Sequence, residues 1–434
     1  MVAGVTVTPA AGARSLTAGA LVLLTALYFA QGLPFGFFTQ ALPVVLRRSG
    51  YSLVTISATG ILFAPWALKF LWAPYVDRYG SRRRWLLTLQ SASAAVALIL
   101  ACLDLSTTLT WLFIGIAVVN VFSATQDIVT DGLAVRLLGA RERGLGNAIQ
   151  VGAYRIGMIV GGGALLWLFS LGGWRVLFVA MAALLVLSTI PVWFLRAQTD
   201  TADDAGTEAT RPSAAAMSVA WIARLRRPGM IAFILLVAAY KFGNSMGSAL
   251  VGPFLSDAGL SLSQIALIEG ALSSVSALFG AALGGWYAFR HGRRHALAVA
   301  GIAQTVALVL YLVASFDVGG LPLLVSASVA EHVLGGAATV VVFALMMDAC
   351  QREYAGSDYT LMACAVVFSQ GAAGFAAGVV GDVFGYTAMF GSAFVLSGLG
   401  CAVLLAALAR GVGPVELRTS LEVTSPASSG MMER

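Results

Sequence analysis

Apolar stretches of roughly twenty to thirty residues, each long enough to cross a bilayer, recur from one end of this chain to the other between short polar breaks. No other feature narrows the fold as much. In hydrocarbon, backbone N–H and C=O groups have no water to bond, so only helices and closed barrels can span it. The stretches here are continuously apolar and do not alternate, which excludes a barrel. Charged residues make up 11% of the chain, against about 25% in ordinary soluble domains. The pattern predicts an all-α membrane protein of twelve transmembrane helices, at 17–46, 52–76, 84–103, 109–136, 144–170, 173–195, 228–255, 262–289, 296–316, 320–349, 359–381 and 385–410.

The basic residues set the orientation. One set of connections carries Arg78, Arg82, Arg83 and Arg84, then Arg136 to Arg143, Arg196 to Arg227, Arg290 to Arg294, and Arg352; the other set carries Arg47, Arg48 and Arg175. The positive-inside rule then places both termini in the cytoplasm. One long polar connection divides the chain into an N-terminal six-helix bundle (1–196), a cytoplasmic linker (197–227), a C-terminal six-helix bundle (228–410) and a disordered cytoplasmic tail (411–434). The second half of the linker, Met217 to Arg227, reads as a basic amphipathic helix on the inner surface. The first apolar run is too long, and too polar in its second half, for a cleaved signal peptide.

The net charge of +6 sits in these loop clusters and does not point to nucleic acid. Cys102, Cys350, Cys364 and Cys401 are scattered without ligand or disulfide spacing, so no metal or other cofactor is expected. No nucleotide-binding Gly-x-x-x-x-Gly-Lys-Ser/Thr, His-Glu-x-x-His or Gly-x-Ser-x-Gly occurs, which argues against an ATP-driven motor or an intramembrane enzyme.

Ionisable residues inside an apolar span are costly, and they mark solute or proton paths. Asp127 and Asp131 lie one turn apart on one face of helix 4 and are the first candidates for proton coupling. The only lysines, Lys69 and Lys241, both fall inside spans, which suggests a demand for a compact, deprotonatable cation. Lys69 is expected to snorkel to the inner surface or to pair with Asp127 or Asp131, and it joins the latch candidates below. Lys241 is expected to pair with Glu331, with Glu269 as the rival; His332 beside Glu331 is a candidate relay. Arg155 is expected to hold an anionic group of a solute or to neutralise Asp127. The remaining cavity candidates are Tyr28, Gln31, Phe35, Phe38, Thr39, Gln40, Asn120, Gln126, Tyr154, Asn244, Ser245 and Thr339: an amphipathic chamber with aromatic walls, suited to a medium-sized polar or anionic solute.

The two halves echo one another. Tyr28, Pro43 and Ser52 correspond to Tyr240, Pro253 and Ser261, and Asp131 to Asp348. Parallel repeats of six helices around a central site are how major-facilitator transporters are built. The loop Asp77-Arg78-Tyr79-Gly80-Ser81-Arg82-Arg83-Arg84 resembles that superfamily's Gly-x-x-x-Asp-Arg-x-Gly-Arg-Arg/Lys loop, with Ala73 in place of the first glycine. Asp77, Arg78 and Arg82 are therefore expected to form a conformational latch. Three Gly-x-x-x-Gly pairs, Gly157/Gly161, Gly280/Gly284 and Gly374/Gly378, permit close helix approach. In the superfamily, helices 5 and 8, and 2 and 11, face each other across the halves.

Tyr28-Phe29-Ala30-Gln31-Gly32-Leu33-Pro34, Leu68-Lys69-Phe70-Leu71-Trp72-Ala73-Pro74-Tyr75-Val76-Asp77-Arg78 and Ala124-Thr125-Gln126-Asp127-Ile128 resemble the AmpG and acetyl-CoA transporter branch of the superfamily. Gly36-Phe37-Phe38-Thr39-Gln40-Ala41-Leu42-Pro43, Thr130-Asp131-Gly132-Leu133-Ala134-Val135, Arg143-Gly144-Leu145-Gly146-Asn147 and Gly356-Ser357-Asp358-Tyr359-Thr360 resemble its RhtX/FptX-type siderophore importers. The resemblance implies a major facilitator fold and proton-coupled import of an iron-loaded siderophore across the bacterial inner membrane. Asp127 and Asp131 would be the coupling carboxylates, and the protein would act as a monomer. Muropeptide permeation of the AmpG kind is the alternative, then acyl-CoA transport; outside transport, the alternative is a nutrient sensor.

Overall fold

A computed structural model describes residues 18–78, 81–103, 109–137, 143–194, 223–351 and 355–418. These residues form an all-helical protein. Among them, nine helices are long and apolar enough to cross a membrane. Two of the nine are broken by glycines in non-helical geometry. Gly172 and Gly173 leave helical geometry, the latter at φ 64°, and so does Gly385 at φ 81°. Positive φ is open to glycine without a Cβ penalty, and these glycines turn the chain back on itself.

In chain order the helices are α1 (Ala18–Arg48), α2 (Leu53–Leu68), α3 (Arg82–Cys102), α4 (Thr110–Leu137), α5 (143–171), α6 (174–193), α7 (Met230–Asp257), α8 (Leu262–His291), α9 (Arg293–Ala314), α10 (Gly320–Asp348), α11 (355–384) and α12 (386–409). α1 packs along α5, and α3 along α4 and α6; in the second half α7 packs along α11 and α12, and α10 along α8 and α9. Phe289, Phe194 and Ile61 are 89%, 80% and 76% exposed, as lipid-facing side chains are.

The internal echo has a structural meaning at the second helix of each half. Ser52 accepts the Thr55 N–H and starts α2; Ser261 accepts the Gln264 N–H, and Gln264 returns a bond to the Ser261 N–H in a complete capping box. Past their caps the two helices diverge. A regular helix over 52–76 is expected, but α2 passes through a 3-10 stretch at Thr59–Phe63, and after Leu68 the chain continues as a 3-10 turn at Lys69–Leu71 and a short helix at Ala73–Arg78. Pro65 and Pro74 remove backbone donors here. Irregular backbone at membrane depth is stable where it borders a cavity or is buried in protein, and α2 borders one.

Three π-helical segments interrupt α1, α5 and α8: Phe37–Ala41, Val160–Ala164 and Ala266–Leu272. All three meet one another in space. The Gly-x-x-x-Gly pairs do different work from that expected of them. Gly157 and Gly161 press on the α1 backbone at Phe29 and Leu33, and Gly280 and Gly284 on α10 at Val333 and Ala337, so these pairs bind helices within a half. Across the halves, α5 meets α8 through Gly163 and Gly270 instead: a Cβ on Gly270 would stand 2.6 Å from the Gly163 Cα. The α11 pair does face the other half at Gly378, which lies against Ser57 of α2.

Two boundary readings also change. The tail is not free from 411: Leu417 is fully buried, and Glu416 pairs with Arg227 at 2.7 Å. Within the linker's expected surface helix, 217–222 lie outside the described residues, while Arg224 and Arg227 turn inward and hold the wholly buried Asp358 of α11, each through a 2.6 Å ion pair. A buried carboxylate needs such partners.

Candidate functional site

A cavity of ≈ 420 Å³ lies between the halves, walled by α1, α2, α7 and α11. Pro34 and the π segment loosen α1, which thereby presents Phe35, Phe38 and Thr39 to the cavity while Phe37 packs on Phe178, ring centres 5.6 Å apart. α2 contributes Phe63 and Trp66. The rings form one wall: Phe35 lies 5.3 Å from Phe63 and 6.0 Å from Trp66, and Phe38 lies 4.5 Å from Phe63. The opposite wall is polar, with Lys241, Asn244, Ser245 and Ser248 from α7 and Gln370 from α11. Lys241 is the one charged side chain among the described residues that line the cavity.

Behind the aromatic wall stands an acid–base cluster. Lys69 forms an ion pair with Asp127, and its ammonium lies 5.8 Å from the Trp66 ring centre. The Trp66 indole N–H donates to Asn120 Oδ1 at 3.1 Å, and that of Trp72 to Thr125 Oγ1 at 3.1 Å. Asp131 accepts from the Tyr28 hydroxyl at 3.0 Å and from Gln150 at 3.4 Å. Asp127 is therefore linked through Lys69 to a ring that a solute in the cavity would touch.

A second cluster lies behind the polar wall. Glu331 accepts from Ser248 at 2.6 Å and Asn244 at 3.2 Å, and His332 Nδ1 stands 3.0 Å from its other oxygen. The expected Lys241–Glu331 ion pair is not formed: Lys241 donates to Thr339 Oγ1 at 2.9 Å, and the cavity-facing hydroxyl and amide take the carboxylate. Nor does Arg155 neutralise Asp127, whose partner is Lys69; among the described residues Arg155 has no hydrogen bond or ion pair.

The expected cavity residues thus divide. Phe35, Phe38, Thr39, Lys241, Asn244 and Ser245 line the cavity. Asn120 and Tyr154 support its aromatic wall, Tyr154 from 5.6 Å behind Phe35. Tyr28 serves Asp131, Gln126 donates to the Leu27 carbonyl at 3.4 Å, Gln40 packs on Gly162, and Gln31 is buried with its amide nitrogen unpaired. Trp66, Ser248 and Gln370 are cavity residues that sequence reading left out; the break in α2 and the α11 contribution carried the signals, in Pro65 and in Gln370 beside Gly371.

Of the expected latch, the side chains of Asp77 and Arg78 lie outside the described residues. Arg82 lies against Gly132 of α4: its Nε would stand 3.4 Å from a Cβ there. The halves are tied at the other end. Arg47 pairs with Asp257 at 2.6 Å, Tyr386 donates to Asp257 at 2.8 Å, and Arg48 donates to the Leu260 carbonyl. Asp382 of α11 accepts the Leu53 and Val54 N–H groups at 2.7 and 2.8 Å, so one half caps a helix of the other.

Paired helical halves around a central cavity, tied at one end, have the architecture of a secondary transporter. Residues 24–357 match the model of the Major Facilitator Superfamily, and the chain belongs to that superfamily of multi-pass membrane transporters. It is 30% identical over 351 residues to the anhydromuropeptide permease of Escherichia coli (strain K12), covering 78% of this chain and 70% of the relative. It is also 30% identical over 379 residues to an uncharacterized protein of Haemophilus influenzae (strain ATCC 51907 / DSM 11121 / KW20 / Rd), covering 83% and 88%. Among solved structures, the D-xylose-proton symporter shares the fold at a TM-score of 0.72 and 13% identity, covering 93% of this chain and 99% of that one. A bacterial homolog of the human lysosomal transporter Spinster shares it at 0.70 and 16%, covering 92% and 98%.

Proposed function

We propose that this chain is a proton-coupled importer of an anhydromuropeptide-like solute, a sugar ring joined to a short acidic peptide. It crosses the bacterial inner membrane twelve times with both termini in the cytoplasm, and works as a monomer without a cofactor. The observation that carries the reading is the cavity's division into an aromatic wall and a polar wall with a single cation, Lys241. Aromatic faces suit a sugar ring, and an ammonium with amide and hydroxyl neighbours suits a carboxylate on a peptide. The 30% identity to a muropeptide permease favours this solute over the ferric siderophore that the sequence motifs put first.

Asp127 and Asp131 are the coupling carboxylates of this proposal. A proton on Asp127 neutralises the partner of Lys69, frees the ammonium beneath Trp66 and alters the wall the solute rests on. A proton moving inward across 100 mV contributes about 2.3 kcal/mol, enough to bias a two-state device.

The test is uptake into energised cells lacking their own permeases, with labelled anhydromuropeptide and a panel of ferric siderophores, with and without a protonophore. Protonophore-sensitive muropeptide uptake is the expected result. Siderophore uptake in its place would overturn the solute and keep the mechanism; protonophore-insensitive uptake would overturn proton coupling.

A further inference from the structure

The polar network behind Ser248 does not stop at Glu331. His332 Nδ1 stands 2.9 Å from the Ser328 carbonyl oxygen as well as 3.0 Å from Glu331. A carbonyl oxygen only accepts, so Nδ1 carries the hydrogen, and Nε2 is the position left to gain or lose a proton. The Ser328 hydroxyl then donates to Glu269 Oε1 at 2.9 Å. A path of polar groups therefore runs from the cavity wall through Ser248, Glu331, His332 and Ser328 to Glu269 of α8.

Glu269 sits inside the π segment Ala266–Leu272, directly before Gly270, the residue that closes α8 onto Gly163 of the other half. Its second carboxylate oxygen has no hydrogen bond, and the carboxylate no ion-pair partner, among the described residues. π segments are irregular turns that exist at a cost and gather where a helix must change. An acid with one oxygen free of hydrogen bonds among the described residues lies in such a turn, at the contact between the two halves.

We propose that Glu269 couples protonation to the seam between the halves: the neutral acid holds the π segment closed on α5, and the carboxylate opens it. The physical reason is the cost of ionising a half-buried carboxylate that has one hydrogen-bond partner and no ion-pair partner among the described residues. The closed seam therefore favours the protonated form, and rising pH favours opening. Other charged and titratable groups surround the network: Lys241 on α7, Glu331 and His332 on α10, Arg155 on α5, and on α9 the Tyr311 hydroxyl, which faces Ser328. Of these, His332 is the group whose own protonation would offset an ionised Glu269. The proposal deepens the proton-coupled reading and rests on it for its physiological meaning.

The experiment measures the seam without transport. Spin labels go on Ser49→Cys and Ala258→Cys, exposed positions on the two sides of the Arg47–Asp257 tie, in the full-length protein with its four native cysteines replaced. Interlabel distances are recorded in lipid nanodiscs at about pH 5.5 and about pH 8.5, where one-proton linkage allows at most about a tenfold change in the open-to-closed ratio per pH unit. The parent is expected to gain a long-distance population as pH rises. Glu269→Gln is expected to stay at the short distance at both pH values, and Glu269→Asp to keep the response. Arg47, Asp257 and Asp382 at the rim are present in every variant, so the comparison isolates Glu269. A parent that ignores pH would overturn the proposal, as would a Gln variant that opens like the parent. Protonophore-insensitive uptake beside an intact pH response of the seam would sink the coupled-transport reading alone.

Discussion

Asp382 offers the sharpest test of how the halves are held. It reaches across the seam and accepts the Leu53 and Val54 N–H groups, two of the donors that the first turn of α2 leaves without partners. Replacing an N-cap acceptor by Ala costs about 0.5–2 kcal/mol, and a hydrogen bond to a charged group is worth about 1.5–3 kcal/mol where it is sheltered. Asp382 is exposed, so the lower range applies, and Asp382→Ala should weaken the tie by about 1–1.5 kcal/mol. That is roughly a tenfold shift toward the state open at this end. Asp382→Asn keeps an acceptor oxygen and should shift the balance about threefold. The assay is the labelling rate of Ser245→Cys, a cavity residue, by an impermeant maleimide added on the side of Arg47, with the native cysteines replaced. Ser52→Ala is the control. It removes a cap of the same helix that stays within one half, the bond to the Thr55 N–H, and should leave labelling unchanged. Equal labelling in Asp382→Ala and the parent would refute the cross-seam cap, and a faster rate in Ser52→Ala would show that α2 fraying is the cause.

Asp127→Asn and Asp131→Asn should retain solute binding and lose accumulation driven by a pH gradient, read by equilibrium binding beside vesicle uptake. Lys69→Met leaves Asp127 without its partner and should destabilise the protein by about 3–5 kcal/mol, with much of the loss recovered in Lys69→Met/Asp127→Asn, measured as thermal midpoints of the purified protein. Trp66→Ala should weaken solute binding about tenfold or more, and Trp66→Phe much less, by titration calorimetry. Gly157→Ala drives a Cβ toward the Phe29 carbonyl oxygen and to 3.0 Å from the Gly32 Cα, and should cost about 1–3 kcal/mol. Gly152, with open space beside it, should tolerate Ala without that loss.

The helical fold was legible because lipid leaves so few choices: continuous apolar runs, arginine clusters and glycine turns placed the long described helices to within a few residues, except α2, which ends at Leu68 instead of running on to 76. Lys69 and the two aspartates announced themselves by being charged where charge is costly. What sequence could not carry is which side chain takes which partner. Lys241 and Glu331 are natural complements by charge, yet Thr339 and Ser248 hold them apart, because distances between helices are set by packing and not by sequence spacing. The glycine pairs misled for the same reason. A Gly-x-x-x-Gly stripe says that a backbone can come close without saying whose: two of the three pairs close within a half, and the contact of α5 with α8 fell to Gly163 and Gly270, which belong to no such pair. The tie at Asp257 and Asp382 was missed because neither residue sits in a recognisable motif; each becomes meaningful only when α1 and α2 are brought beside it.

The knot around Asp358 has a consequence for dividing this molecule. Arg224 and Arg227, where the chain enters the second half, and Glu416, just past its last long helix, are stitched into one network, and Gly229 lies against Gly413. The second half is thereby fastened to itself rather than to the first. A gene cut within residues 197–222 and expressed as two fragments should yield a second fragment whose ends are already tied off, free to find its mate in the bilayer. A cut placed after Arg227 would leave Asp358 buried with both of its arginines on the other fragment, and the two fragments should then fail to reassemble.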